Sequence, residues 1–431
     1  MLHEFEQQLN RRSTVRWQGR VTRVTGNLIE SDGPFGSIGD ACVMAAATGA
    51  QFKGEIVGFR GRTILSMMTD DPTGIRLGDV VTSLGGRPSL SVGPDMLGRV
   101  LDANGEPLDG LGQYRSTRMV EIDGTAPKAL ERLPIREPLG CGIRALDAFA
   151  TCGRGQRLGI FGGSGVGKST LLGMMCRGAA ADVIVMALVG ERGREVGEFL
   201  EVIGEEGRRR SVIVVSTSNE PPLMRLRASL LATAVAEAFA AEGKHVLLVV
   251  DSLTRFAMAQ REIGLAAGEP PTAKGYTPSV VNKLARLVER AGRFREGSIT
   301  AFYTVLMEGD DQQDPVVDTV RSLLDGHIIL DRRLATKGHY PPIAVLDSLS
   351  RLMPSIVSPQ HLRKATDLRQ LLAAYARSED LIRIGAYQQG SDALLDRAVE
   401  VLPKVDEFLR QGTSSLSTFA ETGQLLSALP S

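Results

Sequence analysis

The run Gly162–Thr170 is the part of the sequence whose residue types and spacing most clearly predict chemistry. It reads Gly-Gly-Ser-Gly-Val-Gly-Lys-Ser-Thr and fits the pattern Gly-x-x-x-x-Gly-Lys-[Ser/Thr] without a mismatch. Glycines let successive backbone N–H groups curve around a chain of phosphates, and a helix that begins there adds its positive dipole end. We therefore predict that the phosphates of ATP lie on Gly162, Gly163, Ser164, Gly165, Val166, Gly167, Lys168, Ser169 and Thr170.

Two side chains of this run have separate predicted roles. Lys168 would place its positive charge at the β- and γ-phosphates, and Ser169 would offer its hydroxyl to Mg²⁺. The alternative is a glycine-rich turn that binds nothing. The strand-like run Arg157–Phe161 before the motif and the helical pattern Lys168–Arg177 after it provide the context that phosphate binding requires, so we favour the binding site.

Hydrolysis also needs a held metal ion and an oriented water molecule, and two acidic residues follow predicted strands. Asp251 follows Val246–Val250, so we predict that its carboxylate helps to hold Mg²⁺, with a helix N-cap as the alternative. Glu191 follows Val183–Val189 and could polarise the attacking water. On spacing alone, an ion pair with a nearby arginine is an equal alternative for Glu191.

Arg351 follows the predicted short strand Ile343–Leu346 and is a candidate for stabilising the transition state. A guanidinium suits phosphate because it donates two parallel hydrogen bonds. One interpretation is an arginine finger, which one subunit supplies to the site of the next. The usual role of an arginine is a surface salt bridge, and the sequence by itself does not displace that alternative.

The elements that must position these residues follow three patterns. Before residue 91, short β-rich pieces separated by Gly, Asp and Pro predict a small antiparallel barrel or sandwich. From Gly153 onward, apolar strand-like runs alternate with helical patterns, which predicts an α/β fold with a mostly parallel sheet and helices on both faces. Beyond Pro354, the amphipathic patterns of His361–Arg377 and Asp392–Arg410 predict helices.

Composition argues against several functions. The 431 residues include 50 basic and 50 acidic side chains, and this formal net charge of zero argues against a nucleic-acid partner. The N-terminus lacks the pattern of a signal peptide and no apolar stretch is long enough to span a bilayer, so we expect a soluble intracellular protein. The four cysteines form no metal-binding or disulfide pattern.

Five blocks of the sequence resemble type III protein secretion ATPases, which include the flagellum-specific export ATPase and its injectisome counterparts. These proteins are similar in turn to the catalytic subunit of rotary ATP synthases. The blocks are Gly162–Leu172, Val189–Glu198, Leu247–Glu262, Glu269–Val280 and Gly297–Ile328. The resemblance implies an N-terminal antiparallel β-barrel, a RecA-like P-loop NTPase core and a C-terminal helical domain, arranged as a ring of six subunits.

The resulting division of the chain has four parts. Residues 1–14 are a segment that is either a frayed terminus or a partner-binding helix, and residues 15–90 are the β-barrel domain. Residues 91–354 are the RecA-like ATPase domain, and residues 355–431 are the helical domain.

The resemblance also implies roles for single residues. Lys168 matches the P-loop lysine, and Asp251 matches the Walker B aspartate that helps to hold the metal. Glu191 matches the catalytic glutamate that activates water, and Arg192 follows it in the Gly-Glu-Arg element of the family. Arg351 looks like the finger that enters the site of the next subunit.

The implied function is hydrolysis of ATP that releases chaperones from their cargo and drives protein export. Flagellum assembly is the favoured setting, with an injectisome as the alternative. The implied partners are five further copies of the chain, export-gate membrane proteins, a regulatory stalk protein, a central stalk protein and chaperone–cargo complexes. The implied location is the cytoplasm, at the periphery of the inner membrane. Three competing functions are a rotary ATP synthase subunit, a ring subunit that binds nucleotide without hydrolysing it, and an RNA-translocating hexamer.

Two features depart from the family pattern. Relatives often carry an aromatic residue after the His of a Gln-His-Tyr-like element, where it packs on adenine, but here Leu362 follows His361. The sequence therefore leaves the adenine contact open. The segment before the barrel is short, so contact with the regulatory stalk protein would be reduced or built from Met1–Arg12 only.

Overall fold

The computed structural model describes residues 17–307 and 314–430, so the predicted segment 1–14 lies outside the described residues. The strands, numbered in chain order, are β1 Gln18–Thr25, β2 Leu28–Ser31, β3 Ala41–Ala45, β4 Gln51–Arg60, β5 Thr63–Met68, β6 Val80–Ser83, β7 Ser89–Val92, β8 Val100–Leu101, β9 Arg118–Glu121, β10 Pro138–Leu139, β11 Cys152–Gly153, β12 Arg157–Gly162, β13 Val183–Glu191, β14 Ser211–Thr217, β15 His245–Asp251, β16 Gly292–Arg293, β17 Ser298–Leu306, β18 Gly326–Ile329 and β19 Leu349–Ser350.

The α-helices are Arg144–Phe149, Lys168–Gly178, Gly193–Arg209, Pro222–Ala241, Leu253–Ala267, Pro278–Val288, Pro315–Leu323, Arg332–Thr336, Met353–Ile356, Pro359–Arg383, Ala393–Leu409 and Phe419–Ala428. Within the described ranges, none of these helices is both long enough and apolar enough to cross a bilayer.

The first six strands close into an antiparallel barrel with the strand order β1-β2-β5-β4-β3-β6. Its small core includes Ile29, Met44, Met68 and Val81, all buried, on strands that alternate inward and outward residues. Closure pairs every strand on both sides and so removes the free edges that a small open sheet would expose. The predicted barrel is confirmed.

The centre of the molecule is a mostly parallel sheet with the order β19-β18-β12-β17-β15-β13-β14-β8. The strands β13 and β17 are buried along almost their whole length, as expected when helices cover both faces. Along β13, Val183 and Val185 join the apolar cluster on one face, whereas Ile184 and Met186 join the cluster on the other. The predicted α/β core is confirmed.

The predicted strand Ile343–Leu346 is wrong. Ile343 makes only an isolated antiparallel bridge with Leu330, and the chain then turns. Ile343 and Val345 are apolar because they are buried against the core, not because they pair along a sheet. The strands that the sequence analysis missed here are β18 and β19, which form the antiparallel pair at this edge of the sheet.

The C-terminal region is helical, as predicted, and it packs on the nucleotide-binding domain. Pro359–Arg383 and Ala393–Leu409 lie against each other and bury Leu368 and Val405, among others, in the same apolar cluster as the P-loop helix. Gln411 ties the two regions together because its Nε2 donates to the Gly142 carbonyl at 2.8 Å.

Candidate active site

The P-loop joins the end of β12 to the helix Lys168–Gly178. Gly165 and Gly167 have φ angles of 76° and 94°, in the left-handed region that residues with a Cβ rarely adopt. The helix Arg332–Thr336 also contacts the loop, because the guanidinium of Arg332 donates to the Ser164 carbonyl at 3.2 Å. The loop can therefore present its N–H groups and the N-terminus of the helix to a phosphate chain.

A cavity of about 950 Å³ opens in front of the loop. The predicted site residues that line it are Ser164, Gly165, Gly167, Lys168, Ser169, Thr170, Glu191, Arg192 and Asp251. Four predicted residues do not line it. Gly162, Gly163 and Val166 are buried behind the loop, and Arg351 lies beyond the far edge of the sheet.

Asp251 lies at the end of β15 and is almost fully buried. The hydroxyl of Thr304, on the neighbouring β17, donates to its Oδ1 and fixes the direction of the carboxylate. The N-cap alternative for Asp251 is wrong, because Ser252 caps the following helix by accepting from the Arg255 N–H at 3.3 Å. The carboxylate therefore faces the cavity without a structural role in the helix.

Glu191 lies at the end of β13 and is half-buried in the same cavity. Burial raises its pKa to about 8, and a hydrogen bond to Glu195 and the negative charge of Asp251 add to the increase. The nearby Arg194 is not its ion-pair partner, because it pairs with Glu198 at 2.8 Å. A carboxylate with a raised pKa beside a phosphate-binding loop is suited to accept a proton from water.

Lys168 completes this group of charges. Burial lowers the pKa of its ammonium, whereas the negative charges of Asp251 and Glu191 raise it. Arg192 is exposed at the N-cap of the helix Gly193–Arg209 and also lines the cavity. The structure thus brings together one lysine, two carboxylates and one arginine that the sequence analysis singled out.

The sequence analysis missed several residues of the cavity wall. Arg255 and Glu195 line the cavity beside Glu191, and Arg332 contacts the P-loop as described. Arg255 could have been predicted from the sequence as a cavity residue, because it lies on the first turn of the helix that follows the strand ending at Asp251. Gly190 has a φ of 70° and lets the Arg255 side chain pass close to β13. A Cβ on residue 190 would lie only 3.2 Å from the Cγ and Cδ atoms of Arg255.

The aromatic ring of Tyr340 lies beside the P-loop. Its ring carbon Cε1 lies 3.7 Å from where a Cβ on Gly167 would be, and 47% of its surface is exposed. Leu362, by contrast, is partly buried and packs against the apolar cluster that the C-terminal helices share with the P-loop helix. The adenine contact that the sequence left open therefore has a candidate in Tyr340, which no local pattern marked.

Three family descriptions match the chain. The nucleotide-binding domain of the ATP synthase alpha/beta family matches residues 142–350, and the beta-barrel domain of that family matches residues 21–85. The T3SS EscN ATPase C-terminal domain matches residues 357–428.

Individual relatives match along nearly the whole length. The flagellum-specific ATP synthase of Bacillus subtilis is 51% identical over 414 residues, which are 95% of this chain and 94% of the relative. The type 3 secretion system ATPase of Sinorhizobium fredii is 47% identical over 416 residues, which are 96% of this chain and 92% of the relative.

A solved structure agrees with these matches. The assembled ATPase EscN from the enteropathogenic Escherichia coli type III secretion system superimposes with a TM-score of 0.90 at 41% identity, covering 95% of this chain and 98% of EscN. The similarity thus extends over the barrel, the P-loop domain and the C-terminal helices. The chain therefore belongs to the ATP synthase alpha/beta family, among the flagellum-specific and type III secretion ATPases, and is an ATP-hydrolysing enzyme.

Proposed function

We propose that this ATPase drives protein export by a type III apparatus and that the apparatus assembles a flagellum. The observation that supports the hydrolytic step is the cavity shared by Lys168, Glu191 and Asp251. A subunit that only bound nucleotide with its metal would need Lys168 and Asp251 but not Glu191, whose proposed task is to activate water. The flagellar setting is supported by the identity of 51% with the Bacillus subtilis protein, against 47% with the Sinorhizobium fredii secretion ATPase.

The proposed mechanism assigns one task to each group. Lys168 binds the β- and γ-phosphates, and Glu191 orients the attacking water and takes its proton as the new bond to phosphorus forms. Arg192 and Arg255, which line the same cavity as Glu191, neutralise charge on the transferred phosphoryl group as the bond to ADP breaks. Tyr340 offers a flat apolar surface to adenine.

Mg²⁺ fits the oxygen donors that the site provides. Ser169 has an exposed hydroxyl beside Lys168, and Asp251 directs a carboxylate into the same cavity. Within the described residues, no group of three or more His, Cys, Asp or Glu side chains could hold a metal by itself. A Mg²⁺ held by Ser169 and Asp251 would neutralise phosphate charge.

Arg351 is proposed to act in a neighbouring subunit. Its side chain is exposed at the edge of the central sheet and is not among those that line the cavity of its own chain. EscN, which shares the fold, has been solved as an assembled ATPase, which supports a ring for this chain. In a homohexamer each Arg351 would complete the site of the next subunit.

A second solved structure supports one of the remaining partners. EscN has also been solved in complex with its central stalk EscO, which supports a central stalk protein as a partner here. A regulatory stalk protein, export-gate membrane proteins and chaperone–cargo complexes complete the proposed apparatus. The proposed location is the cytoplasmic side of the inner membrane, with attachment through these partners.

The export role can be tested by replacing the gene with an allele that encodes Glu191→Gln. We expect the variant protein to be present in normal amounts while hook and filament proteins are no longer exported, because assembly is kept and turnover is lost. Glu201→Gln, at an exposed glutamate on the adjacent helix, is the matched control and should export normally. Normal export by the Glu191→Gln strain, with no second ATPase of this kind present, would refute the role.

An injectisome is the second candidate. It is supported by the match of residues 357–428 to the C-terminal domain of the EscN ATPase. The same strain separates the two settings, because loss of needle proteins from the medium with intact flagella would assign the enzyme to an injectisome.

A further inference from the structure

The strand β17 lies between β12, which leads into the P-loop, and β15, which ends at Asp251. Thr304 on β17 is paired with Ile160 of β12. On the other side, the pairing with β15 ends at Val250 and Tyr303, one residue before Asp251 and Thr304. The strand β17 thus brings a threonine level with Asp251, at the end of the sheet that forms the nucleotide site.

The hydroxyl of Thr304 is fully buried in apolar surroundings. Residues two apart on a strand share a face, so Thr304 lies on the face of Phe302, which belongs to the same apolar cluster as Ile160. A buried hydroxyl costs free energy unless it has a hydrogen-bond partner. In the part of the chain that the structure describes, its partner is Oδ1 of Asp251. The need to hold this carboxylate therefore explains a polar residue in an apolar layer.

The carboxylate of Asp251 is held at one oxygen only. Residues 17–307 and 314–430 donate no further hydrogen bond to it. Oδ2 is not among the buried polar atoms that lack a partner, and Asp251 lines the cavity, so Oδ2 is the oxygen that the cavity can reach. The terminal torsion of an aspartate is broad and roughly two-fold, so the carboxylate can turn unless a partner fixes it. The Thr304 hydroxyl is that partner.

The main chain around this pair is held by separate contacts. Thr254, on the helix Leu253–Ala267 after Asp251, accepts from the N–H of Leu306 at 2.8 Å, at the end of β17. This hydrogen bond and the pairing of β15 with β17 join the two segments without the Thr304 hydroxyl. Loss of that hydroxyl would therefore release the carboxylate of Asp251 while leaving the strands in place.

We propose that Thr304 is a positioning residue for Asp251, holding Oδ1 so that Oδ2 stays available to the Mg²⁺ of the metal–nucleotide complex. This role rests on the proposed function of Asp251 in holding Mg²⁺. Groups that hydrogen-bond to a metal-binding carboxylate orient it, and their loss typically weakens metal affinity about tenfold to hundredfold. Thr304 would therefore set how strongly Mg²⁺ binds without touching the metal or the nucleotide.

Thr304→Val tests this role because valine keeps the branched shape and removes the hydroxyl. The measurement is a titration of Mg²⁺ into the purified full chain at a fixed concentration of ADP, with ADP binding also measured in EDTA. We expect the Mg²⁺ concentration that gives half of its effect on ADP binding to rise about tenfold or more. Binding in EDTA should be unchanged, because the P-loop and Lys168 still hold the phosphates. Thr304→Ser, which keeps the donor, should behave like the wild type.

Thr300→Val is the matched control. Thr300 is also buried on the same face of β17, and its hydroxyl accepts from the Gly155 N–H at 2.8 Å. This variant loses a buried hydrogen bond at the other end of the strand and should keep the wild-type Mg²⁺ titration. Thr304→Ala also lacks the hydroxyl and takes the place of Thr304→Val in the titration if the valine variant does not fold.

Asp251→Asn separates the role of Thr304 from the proposed function. We expect this variant to lose the effect of Mg²⁺ on ADP binding, and Thr304→Val to have no further effect when added to it. If Mg²⁺ does not strengthen ADP binding by the wild type, or strengthens it equally in Asp251→Asn, the proposed metal role of Asp251 is wrong and the role of Thr304 falls with it. If Asp251→Asn loses the effect while Thr304→Val keeps the wild-type titration, or if Thr304→Ser is as impaired as Thr304→Val, only the positioning role is wrong.

Discussion

At the scale of single residues, the proposed chemistry depends on acidic groups that lie close together at one edge of the sheet. Burial is the largest reason why the pKa of Glu191 rises to about 8, followed by the hydrogen bond to Glu195 and the charge of Asp251. A general base works only when it is ionised. The free enzyme should therefore gain activity as the pH rises toward and past 8.

Glu195→Gln should move that rise to lower pH, because the neighbouring negative charge would no longer oppose ionisation of Glu191. The measurement is kcat/KM for ATP between about pH 6 and pH 9.5, since this ratio reports the pKa values of the free enzyme. Glu198→Gln, which removes an exposed partner of Arg194 on the same helix, is the control. If the rise of kcat/KM with pH stays at the same pH in Glu195→Gln, or moves to higher pH, the assignment of Glu191 as the base is contradicted.

Tyr340→Ala should raise KM for ATP about tenfold or more, because stacking of a base on an aromatic ring is worth roughly 1–3 kcal/mol. Tyr340→Phe keeps the ring and should behave like the wild-type enzyme. The main chain is unaffected in both variants, so the hydrogen bond from the Gln411 N–H to the Tyr340 carbonyl at 2.8 Å remains. Equal KM values for the alanine and phenylalanine variants would exclude adenine stacking here.

Some of these residues could be predicted from the sequence, and others could not. Glu191 and Asp251 follow apolar runs that can only be buried strands, and strand ends of a parallel sheet meet at one edge. Tyr340 and Arg332 reach the P-loop from a distant part of the chain, across the edge formed by β18. That contact is set by tertiary packing, so no local spacing could reveal it.

At the scale of elements, the reliable signals were long and periodic. The strand β15 and the long helix Pro222–Ala241 could be predicted from the sequence because both are almost wholly buried and therefore apolar along their length. The edge strand β18 is short and contains Gly326 and His327, which weakens its apolar pattern. The apolar segment beginning at Ile343 was predicted as a strand because burial of a loop and burial of a strand look alike over four residues.

The helix Arg144–Phe149 offers a test of element stability, because its Asp147 is fully buried. Its carboxylate accepts from the Cys141 N–H at 2.8 Å, yet burial raises its pKa to about 7. Between its unfolded pKa of about 3.9 and its folded value, the folded state binds more protons than the unfolded state. The contribution of this group to the free energy of unfolding therefore falls as the pH rises through this window.

Asp147→Asn should remove that dependence, which is worth up to about 1.4 kcal/mol per pH unit. We expect the stability of the variant relative to the wild type to improve from pH 5 to pH 7.5, as measured by urea unfolding. Asp182→Asn, at a carboxylate near the surface of the same domain, is the control. A difference between Asp147→Asn and the wild type that does not change with pH would show that the carboxyl is not protonated in the folded protein.

At the scale of the whole molecule, three parts hold the site in place. The barrel is joined to the nucleotide-binding domain through Arg227, whose guanidinium contacts Glu55 at 3.1 Å and Asn104 at 2.8 Å. The C-terminal helices are joined to it through Gln411 and through His361, whose ring nitrogen lies 3.0 Å from the Ala148 carbonyl. The proposed role of Arg351 in a neighbouring site would require such fixed domains, because the guanidinium would have to reach the nucleotide at a set position.

Turnover per subunit should therefore rise with protein concentration over the range in which rings assemble. If Arg351 acts in trans as proposed, a lone subunit would lack this group and its transition state would be less stabilised than in the ring. Arg351→Ala should bind ATP normally and lose most of this rise, as measured by phosphate release alongside sedimentation. Constant turnover per subunit across a change from monomers to rings would contradict a finger in trans.

The most direct test of the site is phosphate release by the purified chain, assembled and supplied with ATP and Mg²⁺, compared with Glu191→Gln under the same conditions. We predict Mg²⁺-dependent hydrolysis that falls at least about hundredfold in the variant while the variant still binds ATP. Hydrolysis by Glu191→Gln at the wild-type rate, or no release of phosphate by the assembled wild-type protein, would contradict the mechanism.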